Sequence, residues 1–309
     1  MILVSGDCLI DFMPVRAADG RDAYVPAVGG SSLNIASAIG RLGVPSGFVS
    51  GISSDMFGEL IAQHLRASNV DIARVTRSAR ETTLAFVRYE ADKSARYAFY
   101  DEGSAARMWR FEPNKVPLAG IRALHFGSTT LINEPSAGET LRLVEAARAG
   151  ATIAFDPNCR PSLIADVPAY RRAMEAMIPL ADLVKMSTDD LNYLRPGAAA
   201  DQAASDWLAK GPGLVVITGG EAGATAYARA GKAHRPARPV HVADTIGAGD
   251  TFHAAMLVKL YETDMLARGQ LRGIGETRLV EVIDFALAAA AITCSRPGAD
   301  PPWRREMPA

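Results

Sequence analysis

Cysteine is scarce in this sequence, and the three that occur, Cys8, Cys159 and Cys294, stand far apart. They match no metal-ligand spacing, and reduced, mostly buried thiols in a cytosolic protein are the expectation. Charge excess is missing as well: 33 basic residues against 34 acidic ones leave a net charge of −1. Such a balance gives no electrostatic footprint for nucleic acid or an anionic membrane. Long apolar runs are absent. The opening MILVSGDCLIDF has no basic segment and is interrupted at Gly6-Asp7, which argues against a signal peptide. The late run FALAAAAITCS from Phe285 is too short to span a bilayer. A soluble, cytoplasmic protein is expected, without nucleic-acid or membrane partners. Two nucleotide signatures are also lacking. A G-x-G-x-x-G dinucleotide loop would follow the first strand, where the chain reads GDCLID. A P-loop needs Ser or Thr after Gly-Lys, but Gly231-Lys232 is followed by Ala233.

What is present is a chain of 309 residues, 49% hydrophobic and 22% charged, enough for a sizeable core. Short apolar runs alternate with segments of helical period. MILVSG, GFVSGI, RALHFGS, ATIAFDPN, ADLVKMS and GLVVITGG read as strands. LNIASAIGRLG, ending at Gly43, reads as a helix, and Asp55 is placed to cap MFGELIAQHLRAS. SAGETLRLVEAARAG, AYRRAMEAMIPL, AASDWLAKG and segments starting near Gly249 and Thr277 read as further helices. This alternation predicts an α/β fold: a mostly parallel sheet with helices on both faces. Residues 82–100 break the rhythm and read as two strands joined by the polar turn EADKS. With residues 12–28 they would form a small β-sheet lid on a single 1–309 domain. The lid's exposed apolar face needs a cover: ligand, main domain or a second subunit.

In an open α/β sheet, ligands bind beyond the carboxyl ends of the strands. Asp7 and Asp11 follow the first strand; Asp156, Asn158 and Arg160 follow ATIAF; Lys185 and Ser187 close ADLVKMS; Thr218 and Gly220 close GLVVIT. Singly, each of these is more readily a cap or a turn former. The stretch DTIGAGDTFHAAM, from Asp244, is more specific. A helix starting near Ala248 or Gly249 turns free N–H groups and a partial positive charge outward. Gly247, Ala248 and Gly249 let an anion approach that backbone. Asp250 would repel the same anion, so its chemistry suits a base taking a proton from an attacking hydroxyl. The plainer alternative is that Asp250 only stabilises its helix N-terminus.

DTIGAGDTFHAAML resembles the second signature of the ribokinase-like, or PfkB, carbohydrate kinase family, and GGSSLNIASAIGRLG resembles the first. GDCLID, SDMFGELI, FDPNCRP, VKMSTDDL, VVITGGEAGA and SRPGA extend the resemblance across nearly the whole chain. It implies a ribokinase-like fold and an ATP- and Mg2+-dependent sugar kinase. Asp250 would be the general base, with Gly247, Ala248 and Gly249 as the anion hole. Asp11, Gly29, Gly30, Asn34, Tyr97, Phe99 and Arg160 would bind sugar, and Lys185, Ser187, Thr218, Gly220 and Gly223 the nucleotide. Ser187 and Asp190 replace the Asn and Glu of the family's Asn-x-x-Glu motif, so Asp190 would act on Mg2+ through water. Asp244 and the Ser295–Ala299 loop would border a K+ site of some relatives. Among branches, the look is nearest bacterial fructokinases, which implies phosphorylation at O6 of fructose. A 2-keto-3-deoxygluconate kinase, another sugar or nucleoside kinase of this type, or a silent sugar sensor are the alternatives. Where many relatives read Tyr-Arg, this chain has Tyr100-Asp101, and Asp101 or Glu102 is expected to add negative charge around the sugar. Dimerisation through the lid is the family habit.

Overall fold

The computed structural model describes residues 1–89 and 95–308. The EADKS turn lies outside the described residues. The amino-terminal half contains β1 (Ile2–Ser5), β2 (Leu9–Arg16), β3 (Asp22–Gly29), α1 (Ser31–Arg41), β4 (Ser46–Val49), β5 (Gly51–Ser53), α2 (Met56–Ala67), β6 (Val70–Asp71), β7 (Thr76–Ser78), β8 (Leu84–Tyr89), β9 (Ala95–Tyr100), β10 (Ala123–Gly127) and α3 (Ser136–Ala147). There follow β11 (Thr152–Asp156), α4 (Val167–Met177), β12 (Leu183–Ser187), α5 (Thr188–Leu194), α6 (Ala200–Lys210), β13 (Leu214–Thr218), β14 (Ala224–Ala228), β15 (Gly231–Arg235), α7 (Ala248–Glu262) and α8 (Glu276–Cys294).

Successive side chains of a strand point to opposite faces, and the main sheet uses both. Ile2 and Val4 of β1, Ala154 of β11 and Val216 of β13 pack with α1, α7 and α8 in one buried cluster. Leu3, Phe155, Val215 and Ile217 pack with α3, α4 and α6 in the other. The strands are therefore mostly apolar on both faces, as a sheet covered on both faces requires, with the buried His125 of β10 and Lys185 of β12 among the exceptions. Their order is β15-β14-β13-β12-β11-β10-β1-β4-β6. From β6 to β13 the pairing is parallel, and β14 and β15 add an antiparallel edge. The order reverses at β1, whose neighbours are β10 and β4. Such a reversal opens a crevice beyond the strand ends.

The lid is a four-stranded sheet, β3-β2-β8-β9, and it begins at Leu9 rather than Phe12. Its register puts Asp11, Ala85 and Phe99 in one row and Phe12, Phe86 and Ala98 in the next. Alternation then gives one face Asp11, Tyr97 and Phe99, and the other Phe12, Tyr24, Phe86 and Tyr100. On that second face Phe12 stacks on Phe86 with centroids 4.6 Å apart, and Tyr24 and Tyr100 meet Phe86 edge-on. A further expectation needs correction. GFVSGI is not one strand: β4 joins the main sheet, while β5 pairs with β7 in a separate ribbon. The turn of the chain at Ser50 redirects a run that hydropathy alone leaves continuous. The β14–β15 hairpin and α5 were also not legible in the apolar pattern.

Asp55 caps α2 as expected, accepting from Gly58 N at 2.7 Å. At α5, Ser187 and Asp190 form a reciprocal capping box. Asp190 Oδ2 accepts from Ser187 N and Oγ, at 3.0 and 2.7 Å, and Oδ1 accepts from Cys159 N at 2.7 Å. The carboxylate is 8% exposed, so it ties α5 to the loop after β11 instead of opening onto solvent. Asp190→Ala would leave these donors without a partner. It should cost about 1–3 kcal/mol, read as a lower melting temperature. An unchanged melting temperature with an altered Mg2+ titration would contradict this and return Asp190 to a metal role.

Candidate active site

Two helices, α1 and α7, begin at the same place. Gly247 starts α7 in the left-handed region at φ 74°, and a Cβ there would stand 2.7 Å from the Ala299 Cβ. Only glycine makes that turn without strain. Ala248 N is occupied by Thr245 O at 3.2 Å, and the first α-helical bond is Thr251 N to Gly247 O at 2.8 Å. Helix geometry therefore aims the Gly249 and Asp250 N–H groups into the cleft. At α1, Gly30 is the N-cap, and the buried Asp7 carboxylate accepts from Ser31 N and Ser32 N at 3.2 and 2.9 Å. It offsets the positive end of that helix.

Asp250 does not spend its carboxylate on its own helix. Oδ1 accepts from Ser31 Oγ at 2.6 Å and Oδ2 from Asn34 Nδ2 at 2.9 Å, both on α1. Each oxygen keeps a lone pair for a further partner. Burial pushes the Asp250 carboxyl above its ordinary range, and the bonds from Ser31 and Asn34 with the charges of Arg160 and Lys185 pull it back. Asn34 thus holds the proposed base while also lining the cleft. Ser31, which sequence reasoning passed over, does the same work; its place beside Gly30 was the only available signal.

The cleft, of about 330 Å³, brings most of the anticipated residues together. Asp11, Tyr97 and Phe99 enter from the lid, Gly30 and Asn34 from α1, and Gly247, Gly249 and Asp250 from α7. Arg160 and Lys185 come from the ends of the central strands. Tyr97 and Phe99 stack at 5.7 Å. Gly29 stands behind Asp11: a Cβ there would lie 2.2 Å from Asp11 Oδ2. Burial, with the charge of Asp7, raises the Asp11 carboxyl to about 6, against the pull of Arg160. Arg160 is anchored by Asn158 Oδ1 at 2.6 Å.

Lys185 is 5% exposed and donates to Asp156 Oδ2 at 2.8 Å. Burial works against its charge, but Asp156 holds it above its ordinary pKa. The same pair holds Asp156 below its ordinary value although burial alone would raise it. A Cβ on Gly249 would stand 3.5 Å from Lys185 Nζ, so the ammonium lies beside the α7 N-terminus. A cation next to a helix's positive end is favourable only if an anion answers both.

Ala248, Ser187, Thr218, Gly220, Gly223, Asp190 and Asp244 are not among the cleft's lining residues. Ser187 and Thr218 are register partners at the ends of β12 and β13, and Gly220 and Gly223 bound the turn that follows. They continue from Lys185 along the rim of the sheet. Asp244 accepts from Ile246 N at 3.1 Å and Gly298 N at 2.9 Å, which ties the turn before α7 to the 295–299 loop. Asp101 does not add an unpaired charge to the cleft. It pairs with Arg107 at 3.2 Å beside a small cavity of about 30 Å³ that adjoins the cleft at Asp7, Leu9 and Phe99, and Glu102 is exposed. Arg107 is six residues on, a pairing that only the folded turn creates.

A "Fructokinase" of Rhizobium leguminosarum bv. trifolii is 40% identical over 282 residues, 90% of this chain and 85% of the relative. The solved fructokinase of Xylella fastidiosa with bound ATP superposes with a TM-score of 0.83 at 27% identity, covering 99% of this chain and 94% of that one. The fructokinase of Vibrio cholerae O395 with fructose, ADP and calcium bound superposes at 0.80 with 25% identity, over 96% and 94%. The model of the pfkB family of carbohydrate kinases matches residues 1–305. This chain belongs to that family and is a sugar kinase of ribokinase-like fold.

Proposed function

We propose that the cleft phosphorylates fructose on O6 with ATP as donor. The observation that carries this reading is the meeting of the Asp250 carboxylate with an N-terminal helix turn and the Lys185 ammonium at one end of a cleft. The sugar would lie between the lid face bearing Asp11 and the α1 N-terminus. Asp11 accepts hydrogen bonds from hydroxyls, and the Asn34 amide bridges the sugar side to the base. Asp250 takes the proton as the hydroxyl attacks. The Gly249 and Asp250 N–H groups, with Lys185, stabilise charge on the transferring phosphoryl group. The cationic setting of Lys185 and the α7 N-terminus fits a polyphosphate, and Ser187, Thr218, Gly220 and Gly223 would line the rest of the nucleotide. Mg2+ would be held mainly by the phosphates, since among the described residues no three His, Cys, Asp or Glu side chains gather to hold a metal. Bound there, it neutralises phosphate charge. Asp190 and Asp244 serve as tethers in this reading, and a K+ ion by Asp244 would rest on backbone carbonyls. One observation favours a second substrate class: Arg160 in the cleft could receive the carboxylate of an acidic keto sugar.

ADP release measured across a panel of sugars, on wild type and Asp250→Asn, tests the proposal. Fructose should give the highest kcat/KM, above 2-keto-3-deoxygluconate. Asp250→Asn should lower kcat by on the order of 10²–10⁴ with sugar affinity kept within a few fold. A variant keeping half of the wild-type turnover would reduce Asp250 to a helix-terminus residue. A preference for the keto acid would favour the Arg160 reading.

The lid's outer face supports a homodimer. Tyr24 is 47% and Tyr100 64% exposed there, beside the Phe12–Phe86 stack. Light scattering should give a dimer mass, and Tyr24→Asp with Tyr100→Asp should shift it to the monomer. A monomer mass at every concentration would contradict the assignment. No described helix is long and apolar enough to cross a membrane, which is compatible with the cytoplasmic location expected of such an enzyme.

A further inference from the structure

Beneath Lys185 lies a buried polar array that phosphoryl transfer, as described so far, leaves without a task. Asp156 Oδ2 is bonded to Lys185 at 2.8 Å, and His253 Nδ1 faces the same oxygen at 3.7 Å. His253 Nε2 lies 3.1 Å from His125 Nδ1. His253 and His125 are 0% and 1% exposed, and His253 Nδ1 has no hydrogen-bond partner in this arrangement. Burial lowers the pKa of both rings, so both are neutral. Chemistry then selects the tautomer. A carboxylate only accepts, so the nitrogen facing Asp156 suits an N–H, and Nε2 is left to accept from His125 Nδ1–H.

A buried N–H aimed at an oxygen just beyond bonding distance is an unsettled arrangement. It has a use if Lys185 changes partner. When the ammonium turns toward an anion at the α7 N-terminus, Asp156 would keep the bond from Asn158 N to Oδ1 at 3.1 Å but lose its buried ion-pair partner on Oδ2, which is strongly unfavourable. His253 sits one turn beyond Asp250 on α7, where it can supply the replacement bond. We propose that His253 is a positioning residue that takes over Asp156 as Lys185 moves to the transferring phosphoryl group. The inference rests on the phosphate-facing role given to Lys185 above.

The test compares Lys185→Gln, His253→Leu, His253→Gln and His253→Asn, with thermal unfolding run on each. Asn places a donor where Nδ1 stands, whereas Gln fills the ring's volume and reaches only toward His125. Lys185→Gln should lower kcat at least about 100-fold. His253→Leu and His253→Gln should each lower kcat about tenfold, with the sugar KM within about threefold of wild type. His253→Asn should recover to within about threefold of wild type. If the Leu protein does not fold, the Gln and Asn pair carries the comparison. Wild-type kcat in Lys185→Gln would overturn the Lys185 role and this inference with it. A damaged Lys185→Gln beside an undamaged His253→Gln would overturn the inference alone, as would equal losses in His253→Gln and His253→Asn.

Discussion

Two helix N-termini directed at one point govern the architecture of the site. Each carries a partial positive charge, and Lys185 and Arg160 add two full ones. So much positive potential in a largely desolvated place is stable only when carboxylates answer it. Asp7 answers at α1, Asp156 at Lys185, and Asp250 stands between the helices with a bond to each of two α1 side chains. Asp7 and Asp156 are consumed by these structural duties. Asp250 borders the cleft with a lone pair left on each oxygen, which is what the proposed proton transfer requires of it.

The sheet supplies the place and the lid closes it. Reversal of strand order at β1 parts the connections and leaves a crevice above β1 and β10. The lid grows from the end of β1, so Asp11 follows the first strand in sequence and reaches the cleft from above. Two-residue alternation gives the lid a cleft-lining face and an aromatic outer face at once, and a slip of one residue would exchange them. The lid's register is therefore part of the site's chemistry.

The local layout of the site was legible in the sequence because it rests on short-range rules. Strand-end polar residues, the Asp55 cap and the small-residue turn before Asp250 follow from backbone geometry within a few positions. What escaped was decided at long range or by competition among donors. Asp101 looked like a free charge until Arg107 paired with it. Asp190 reads as a carboxylate acting on Mg2+ through water, and the fold engages both of its oxygens with Cys159 N and Ser187. His125 and His253 are 128 positions apart, and nothing local to either marks their contact. The 51–53 segment shows the same limit, since an apolar run does not say which sheet it joins.

The central claim is that a sugar hydroxyl is deprotonated by Asp250 beside the anion-binding turn and takes the phosphoryl group of ATP. Phosphorus–proton NMR of the product made from ATP and fructose tests it most directly, because it locates the new bond. A phosphate coupled to the protons of C6, formed in step with ADP, is the predicted result. ADP released without a phosphorylated sugar, or phosphate carried on a different oxygen, would contradict the account.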